Sequence, residues 1–233
     1  MLLRRAGALE SGMFTGLVQA VGEVRGVDPV EEGVRLWIDP NGWSPGAGRG
    51  GSVAVNGCCL TMTDDPGEEG LAFVAIPETL AKTNLGRLEP GSRVNLETAV
   101  SAATLLGGHF VQGHIDGVGI VQRVVRPGDG PGGEWRVRLS PPAGLMRYMT
   151  PKGSVCLDGV SLTIAAIEPG EVDGSEGWIE VALIPETLEK TTLADWSVGD
   201  PVNIEADVLA KTVVHVLTHY AGPGGLHAGE GAG

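Results

Sequence analysis

The sequence predicts an all-β protein built from two tandem copies of one small barrel and finished by a single α-helix. Three observations carry this reading. Glycine (38 residues) and proline (15) are abundant while aromatic residues make up only 4% of the 233, a balance that suits short strands and tight turns. The chain repeats itself in order. Beyond the second copy, Leu209, Val213, Val216, Leu217 and Tyr220 fall on one helical face.

The repeat fixes the architecture. Gly51-Ser-Val-Ala-Val-Asn-Gly-Cys-Cys-Leu-Thr61 returns as Gly153-Ser-Val-Cys-Leu-Asp-Gly-Val-Ser-Leu-Thr163, identical at six of eleven positions. The string from Ile76-Pro-Glu-Thr to Val94-Asn-Leu-Glu97 returns as Ile184-Pro-Glu-Thr to Val202-Asn-Ile-Glu205, identical at twelve of twenty-two. A weaker match sets Gly16-Leu-Val-Gln-Ala-Val-Gly beside Gly113-His-Ile-Asp-Gly-Val-Gly. The offset grows from 97 to 102 to 108, so insertions collect in loops while the order of elements is kept.

Taken along the chain, residues 1–12 read as an extension without structure of its own, and a second methionine, Met13, opens the pattern. Residues 13–108 form the first unit. Within it Val34-Arg-Leu-Trp-Ile38, Ser52-Val-Ala-Val55, Leu71-Ala-Phe-Val-Ala75 and Arg93-Val-Asn-Leu96 are strand candidates, separated by Asn-Gly, Pro-Gly and Gly-Gly turn signals, which Asp-Gly joins in the second copy. Closure into a barrel removes bare edges from so small a β unit. Residues 79–85, and their copy 187–193, are long enough for one helical turn and too short to decide between turn and loop. Residues 109–206 form the second unit, 207–221 the helix, and 222–233 a glycine-rich tail expected to lack order. The helix has no counterpart after the first copy. Its apolar stripe must cover either a barrel or the same helix of a neighbouring subunit.

Composition excludes several classes of function. Sixteen basic against twenty-nine acidic side chains give a net charge of −13, which repels a phosphate backbone and argues against nucleic acid as a partner. No stretch is long and apolar enough for a membrane span, and the start of the chain lacks the apolar core of a secretory signal. Three cysteines, two of them adjacent (Cys58 and Cys59), read as reduced thiols, so the cytoplasm is the expected compartment. No HExxH, CxxC or phosphate-binding loop is present, so neither a metal nor a cofactor is expected. The Gly-x-Ser-x-Gly elbow is missing as well, which removes the common hydrolase template.

A duplicated domain with duplicated polar motifs points to two like pockets. Thr61 and Thr163, Thr79 and Thr187, Asn95 and Asn203 are neutral hydrogen-bonders of the kind that grip a polyol or a heterocyclic amide, though the same residues also serve turns and strand ends. The copies differ at chosen places: Cys59 answers to Ser161, Asn56 to Asp158, Leu17 to His114 and Gly50 to Lys152. The thiol, the lysine, the hydroxyls, His109 and His114 are the groups able to handle protons.

Met13-Phe-Thr-Gly16, Asn56-Gly-Cys-Cys-Leu-Thr61, Gly107-Gly-His-Phe-Val-Gln-Gly-His114, Lys152-Gly-Ser, Asp158-Gly-Val-Ser-Leu-Thr163 and the doubled Ile-Pro-Glu-Thr together resemble the riboflavin synthases of the alpha-chain type, over residues 13 to about 220. The resemblance implies two six-stranded barrels, a C-terminal helix that assembles a homotrimer, and a pocket pair formed between subunits. Association with lumazine synthase is a further partner it suggests. It also implies the reaction: two molecules of 6,7-dimethyl-8-ribityllumazine exchange a four-carbon unit, giving riboflavin and 5-amino-6-ribitylaminouracil. Ligand contacts carry over to Gly16, Leu17, Val18, Cys59, Leu60, Thr61, Val74, Ala75, Ile76, Pro77, Glu78 and Thr79 in the first copy, with Asn95 beside them. The second-copy set is Gly113, His114, Ile115, Ser161, Leu162, Thr163, Ala182, Leu183, Ile184, Pro185, Glu186 and Thr187, with Lys152 added. Expected catalytic positions are His114 with Thr163 or Ser161 beside it for proton handling, Cys59 as nucleophile or orienter, and His109, Asp207 and Phe14. The alternative implied by the same fold is a fluorescent antenna protein that binds one lumazine or flavin without turning it over.

Overall fold

The computed structural model describes residues 12–67, 70–128, 133–170 and 177–220; the expected extension and tail lie outside these except for Gly12. The first copy folds as β1 (Ala20–Val30), β2 (Gly33–Asp39), β3 (Ser52–Val55), β4 (Cys58–Thr61), β5 (Leu71–Ala75), α1 (Pro77–Lys82), a 3₁₀ turn (Asn84–Arg87) and β6 (Arg93–Thr98). The second repeats this order as β7 (Gly117–Val125), β8 (Trp135–Ser140), β9 (Ser154–Leu157), β10 (Val160–Glu168), β11 (Trp178–Leu183), α2 (Pro185–Lys190), a 3₁₀ turn (Thr192–Asp195) and β12 (Pro201–Ala206). An additional 3₁₀ segment, Ala143–Tyr148, sits between β8 and β9. The chain ends in α3 (Val208–His219).

The two sheets share one strand order and differ in closure. The second is a closed barrel in the order β10-β11-β8-β7-β12-β9. The first runs β4-β3-β6-β1-β2-β5, and its two ends meet through a single bridge, Met62 with Phe73, and the Thr63 N–H given to Ala72 O at 2.9 Å. The seam is short because β4 ends at Thr61, whereas its copy β10 runs on to Glu168 and pairs along β11.

Local chemistry explains the elements. Alternation along β2 sends Leu36 and Ile38 inward, and each barrel closes on its own apolar cluster, the first around Leu36, Ile38, Phe73 and Leu96, the second around Leu139, Leu157, Ile164 and Ile179. The segments too short to decide from sequence are helical. Pro77 and Pro185 supply the preset φ at the first positions, two residues earlier than the expected start, and Lys82 and Lys190 pair with Glu78 and Glu186 four residues back.

The barrels meet about a pseudo-twofold relation. The turns Asn56-Gly57 and Asp158-Gly159 are left-handed at both residues and stand back to back, so that a Cβ on Gly57 would lie 2.6 Å from Gly159 N. Asn95, expected at a pocket, is instead 1% exposed in this contact. Its amide donates to Asp158 O at 2.9 Å and its carbonyl accepts the Thr192 N–H at 2.8 Å. Asn203 mirrors it, donating to Asn56 O and accepting from Asn84 N–H. Phe14, fully buried, forms the third cluster with Ala54, Val111 and Cys156, and exchanges backbone hydrogen bonds with Val111. In α3 no side chain is buried; Leu209, Val213, Val216, Leu217 and Tyr220 stay exposed.

Candidate active site

Each copy opens on a loop whose glycine is left-handed, and each loop is carried to the other barrel. Gly16 (φ 73°) accepts the Ser161 N–H at 2.8 Å, and Gly113 (φ 75°) accepts the Cys59 N–H at 2.9 Å. A side chain is excluded at both. Its Cβ would stand 2.6 Å from Ser161 Cβ in one case and 2.5 Å from Cys59 Cβ in the other. In consequence Val18 packs on the core of the second barrel and Ile115 on the core of the first.

The cavity on the second barrel therefore draws on both copies. Gly16, Leu17 and Val18 line it together with Val160, Ser161, Ile184, Glu186, Thr187, Lys190 and Thr191, enclosing about 290 Å³. Strand alternation decides which residues face outward: on β10 Ser161 and Thr163, on β4 Cys59 and Thr61, while Leu162 and Leu60 turn into the cores. The equivalent face of the first barrel receives Gly113, His114 and Ile115.

Electrostatics separate the two faces. Ser161 Oγ lies 2.7 Å from His109 Nδ1, and the Nε2 of that ring is buried with no hydrogen-bond partner. Burial pushes His109 below the usual histidine range, opposed in part by Asp207, so the ring is neutral at neutral pH. Burial pushes the Cys59 thiol up, against hydrogen bonds with Ser52 and the Gly12 backbone that pull it down. Cys59 is a neutral thiol, not a ready thiolate.

With this geometry in hand, the comparisons decide the family. A model of the lumazine binding domain matches twice, at residues 15–99 and 112–207. The chain is 44% identical over 207 residues to the riboflavin synthase of Mycobacterium tuberculosis (strain ATCC 25618 / H37Rv), covering 88% of this chain and 98% of that one. The chain belongs to the riboflavin synthase family. The riboflavin synthase of Schizosaccharomyces pombe is 38% identical over 200 residues, covering 85% of this chain and 91% of its own length. Among solved structures, LumP complexed with riboflavin superimposes with a TM-score of 0.69 at 25% identity, over 83% of this chain and 98% of LumP.

The residues that the resemblance to riboflavin synthases singled out sort into three groups. Gly16, Leu17, Val18, Ser161, Ile184, Glu186 and Thr187 are together at the second cavity, and Gly113 with Cys59 at the first face. The loops are exchanged relative to the expected grouping, which kept each with its own copy. Leu60, Ala75, Leu162 and Leu183 point into the cores, Phe14 lies between the barrels, and Asn95 ties the barrels together. Ile76, Pro77, Glu78, Pro185 and Ala182 are exposed, Val74 and Thr79 partly so; Lys152, left-handed at φ 64°, stands exposed in the turn before β9 and does not line the cavity. Ser161 pairs with His109 rather than with His114, which is exposed and gives its backbone N–H to Glu205 of the second barrel at 3.1 Å. Asp207 caps α3, accepting the Leu209 N–H at 2.8 Å. Val160, Lys190 and Thr191 also line the cavity and were missed. The repeated string Ile-Pro-Glu-Thr-Leu-x-Lys-Thr runs through Lys190 and Thr191 and carried the signal.

Proposed function

We propose that the chain binds two molecules of 6,7-dimethyl-8-ribityllumazine and transfers a four-carbon unit between them, releasing riboflavin and 5-amino-6-ribitylaminouracil. The observation that carries this reading is the exchange of loops: two related faces, each completed by the other copy, suit a reaction between two identical molecules. Holding both removes much of the entropic cost of a bimolecular step. The residue positions 13–108 and 109–206 are read as the two lumazine-binding units.

In this mechanism a proton leaves the C7 methyl group of one lumazine and the resulting charge spreads into its pyrimidine carbonyls. His109, neutral and 2.7 Å from Ser161 Oγ, accepts or relays that proton through the serine hydroxyl, with Asp207 favouring the charged ring. Thr163 shares the outward face of β10 with Ser161 and offers a hydroxyl to the ligand. On the first face, Cys59 acts as a neutral contact and His114 as a second proton handler. The exposed apolar stripe of α3 packs against its copies in a homotrimer, which would bring the first face of one subunit to the second of its neighbour. Association with lumazine synthase and a cytoplasmic setting belong to the same reading; among the described residues no helix is long and apolar enough to cross a membrane.

The test is direct. The purified chain is incubated with 6,7-dimethyl-8-ribityllumazine and riboflavin is followed by its fluorescence. One riboflavin for every two lumazines consumed supports the reading; binding without turnover returns the chain to the antenna alternative.

A further inference from the structure

Glu97 and Glu205 are the last glutamates of the repeated Val-Asn-x-Glu strings, and both are almost wholly buried, at 3% and 1% exposure. Each carboxylate accepts three hydrogen bonds from a chain-entry loop. Glu97 takes the Thr15 N–H and hydroxyl at 2.7 Å each on Oε1, and the Gly16 N–H at 3.0 Å on Oε2. Glu205 takes the Gln112 N–H at 2.7 Å, the Gly113 N–H at 2.9 Å and the His114 N–H at 3.1 Å. These loops are the ones that leave their own barrel.

From this we propose that Glu97 and Glu205 are positioning residues that act across the barrels. Glu97, on β6 of the first barrel, sets the loop that completes the cavity of the second; Glu205, on β12 of the second, sets the loop that completes the face of the first. The relay is short on each side. Gly16 donates its N–H to Glu97 and accepts the Ser161 N–H on its carbonyl, and Leu17 and Val18, the next two residues, line the cavity. On the other side Gly113 donates its N–H to Glu205 and accepts the Cys59 N–H, with His114 and Ile115 following.

Carboxylate chemistry is what this job requires. Both oxygens of each side chain face donors, so a glutamine would turn its NH₂ toward a backbone N–H. Keeping a carboxylate out of water is costly, and a loop that only needed anchoring has cheaper partners. The inference rests on the ligand reading given above, since it concerns the same two faces.

Double-mutant cycles test it, with binding of 6,7-dimethyl-8-ribityllumazine as the readout. Glu97→Gln and Glu205→Gln are each combined with Thr187→Ala, at the second cavity, and with Thr79→Ala, its first-barrel equivalent. Glu97→Gln should weaken binding at one site on the order of tenfold, in line with loss of a charge-assisted hydrogen bond. It should add little to Thr187→Ala, which impairs the same cavity, and retain its full effect beside Thr79→Ala. Glu205→Gln should show the opposite pattern. Thr15→Val removes one donor and keeps the carboxylate, so it should reproduce the Glu97→Gln pattern more weakly even where that variant does not fold. Coupling within the residue's own barrel, or equal losses at both sites, overturns the inference and leaves the glutamates as fold anchors. A parent chain that binds no lumazine overturns the ligand reading first and this inference with it.

Discussion

Cys59 and Ser161 occupy equivalent places, and their surroundings assign them different work. Burial holds the thiol protonated, whereas Ser161 is fixed at both its N–H and its hydroxyl, the latter by a neutral imidazole. Alkylation of Cys59 by iodoacetamide at pH 7.5 should therefore run at least tenfold slower than that of a free cysteine and accelerate with rising pH. A fast reaction that is flat with pH would mean a thiolate and restore a nucleophilic role. Ser161→Ala strips the second ring nitrogen of His109 of its partner as well, and should lower the single-turnover rate on the order of a hundredfold while lumazine affinity changes less than threefold. Because the pKa of His109 is lowered, the acid limb of the parent's rate should fall below the ordinary histidine value of about 6.5. A limb above it would assign the proton to another group. The equivalence of the two positions was legible from the repeat alone. The pairing with His109 was not, since spacing along the chain says nothing of which loop crosses to which barrel.

At the scale of elements, strands declared themselves through β-branched runs between turn dipeptides, and the observed β3 and β5 match those runs residue for residue. The six-residue helices did not, because a single α-helical turn carries too few apolar positions to show a period, and only the prolines at their starts mark them. The terminal helix was legible as an apolar stripe, yet the sequence left open what covers it. The fold narrows the choice: α3 is tied to its barrel by a polar contact, Lys211 Nζ to Asp116 at 2.8 Å, while the stripe faces outward. Replacing Leu209 or Leu217, each 60% exposed, by glutamate should leave the melting of a single chain little changed and shift the proposed trimer to smaller species in sedimentation. An unchanged sedimentation coefficient in both variants would remove α3 from the subunit contact.

Across the whole molecule the two barrels are locked by polar side chains that composition could not distinguish from turn residues. Asn56 and Asp158 stand at equivalent turns and accept the Asn95 and Asn203 N–H groups, both at 2.8 Å, but only one of the pair can ionise. Burial, helped by nearby Asp200, pushes Asp158 up to about 7 against hydrogen bonds from Asn203, Trp196 and Asn84 that pull it down. An unfolded aspartate titrates near 3.9, so between about pH 4 and pH 7 the folded chain holds a proton there that the unfolded chain has lost. Folding stability at this site is therefore greatest below that window, falls as pH rises through it, and is flat above. The span corresponds to a few kcal/mol, on the order of one for each unit of displacement. Other buried carboxylates contribute their own slopes, so the informative quantity is the difference between the parent and Asp158→Asn, whose amide keeps the acceptor and cannot titrate. Urea midpoints at pH 5 and pH 8 should separate clearly for the parent and draw together for the variant, with the variant's disadvantage from the lost Trp196 contact present equally at both. Identical separations in the two proteins would show that Asp158 stays ionised in the folded state and that the lock between the barrels is insensitive to pH.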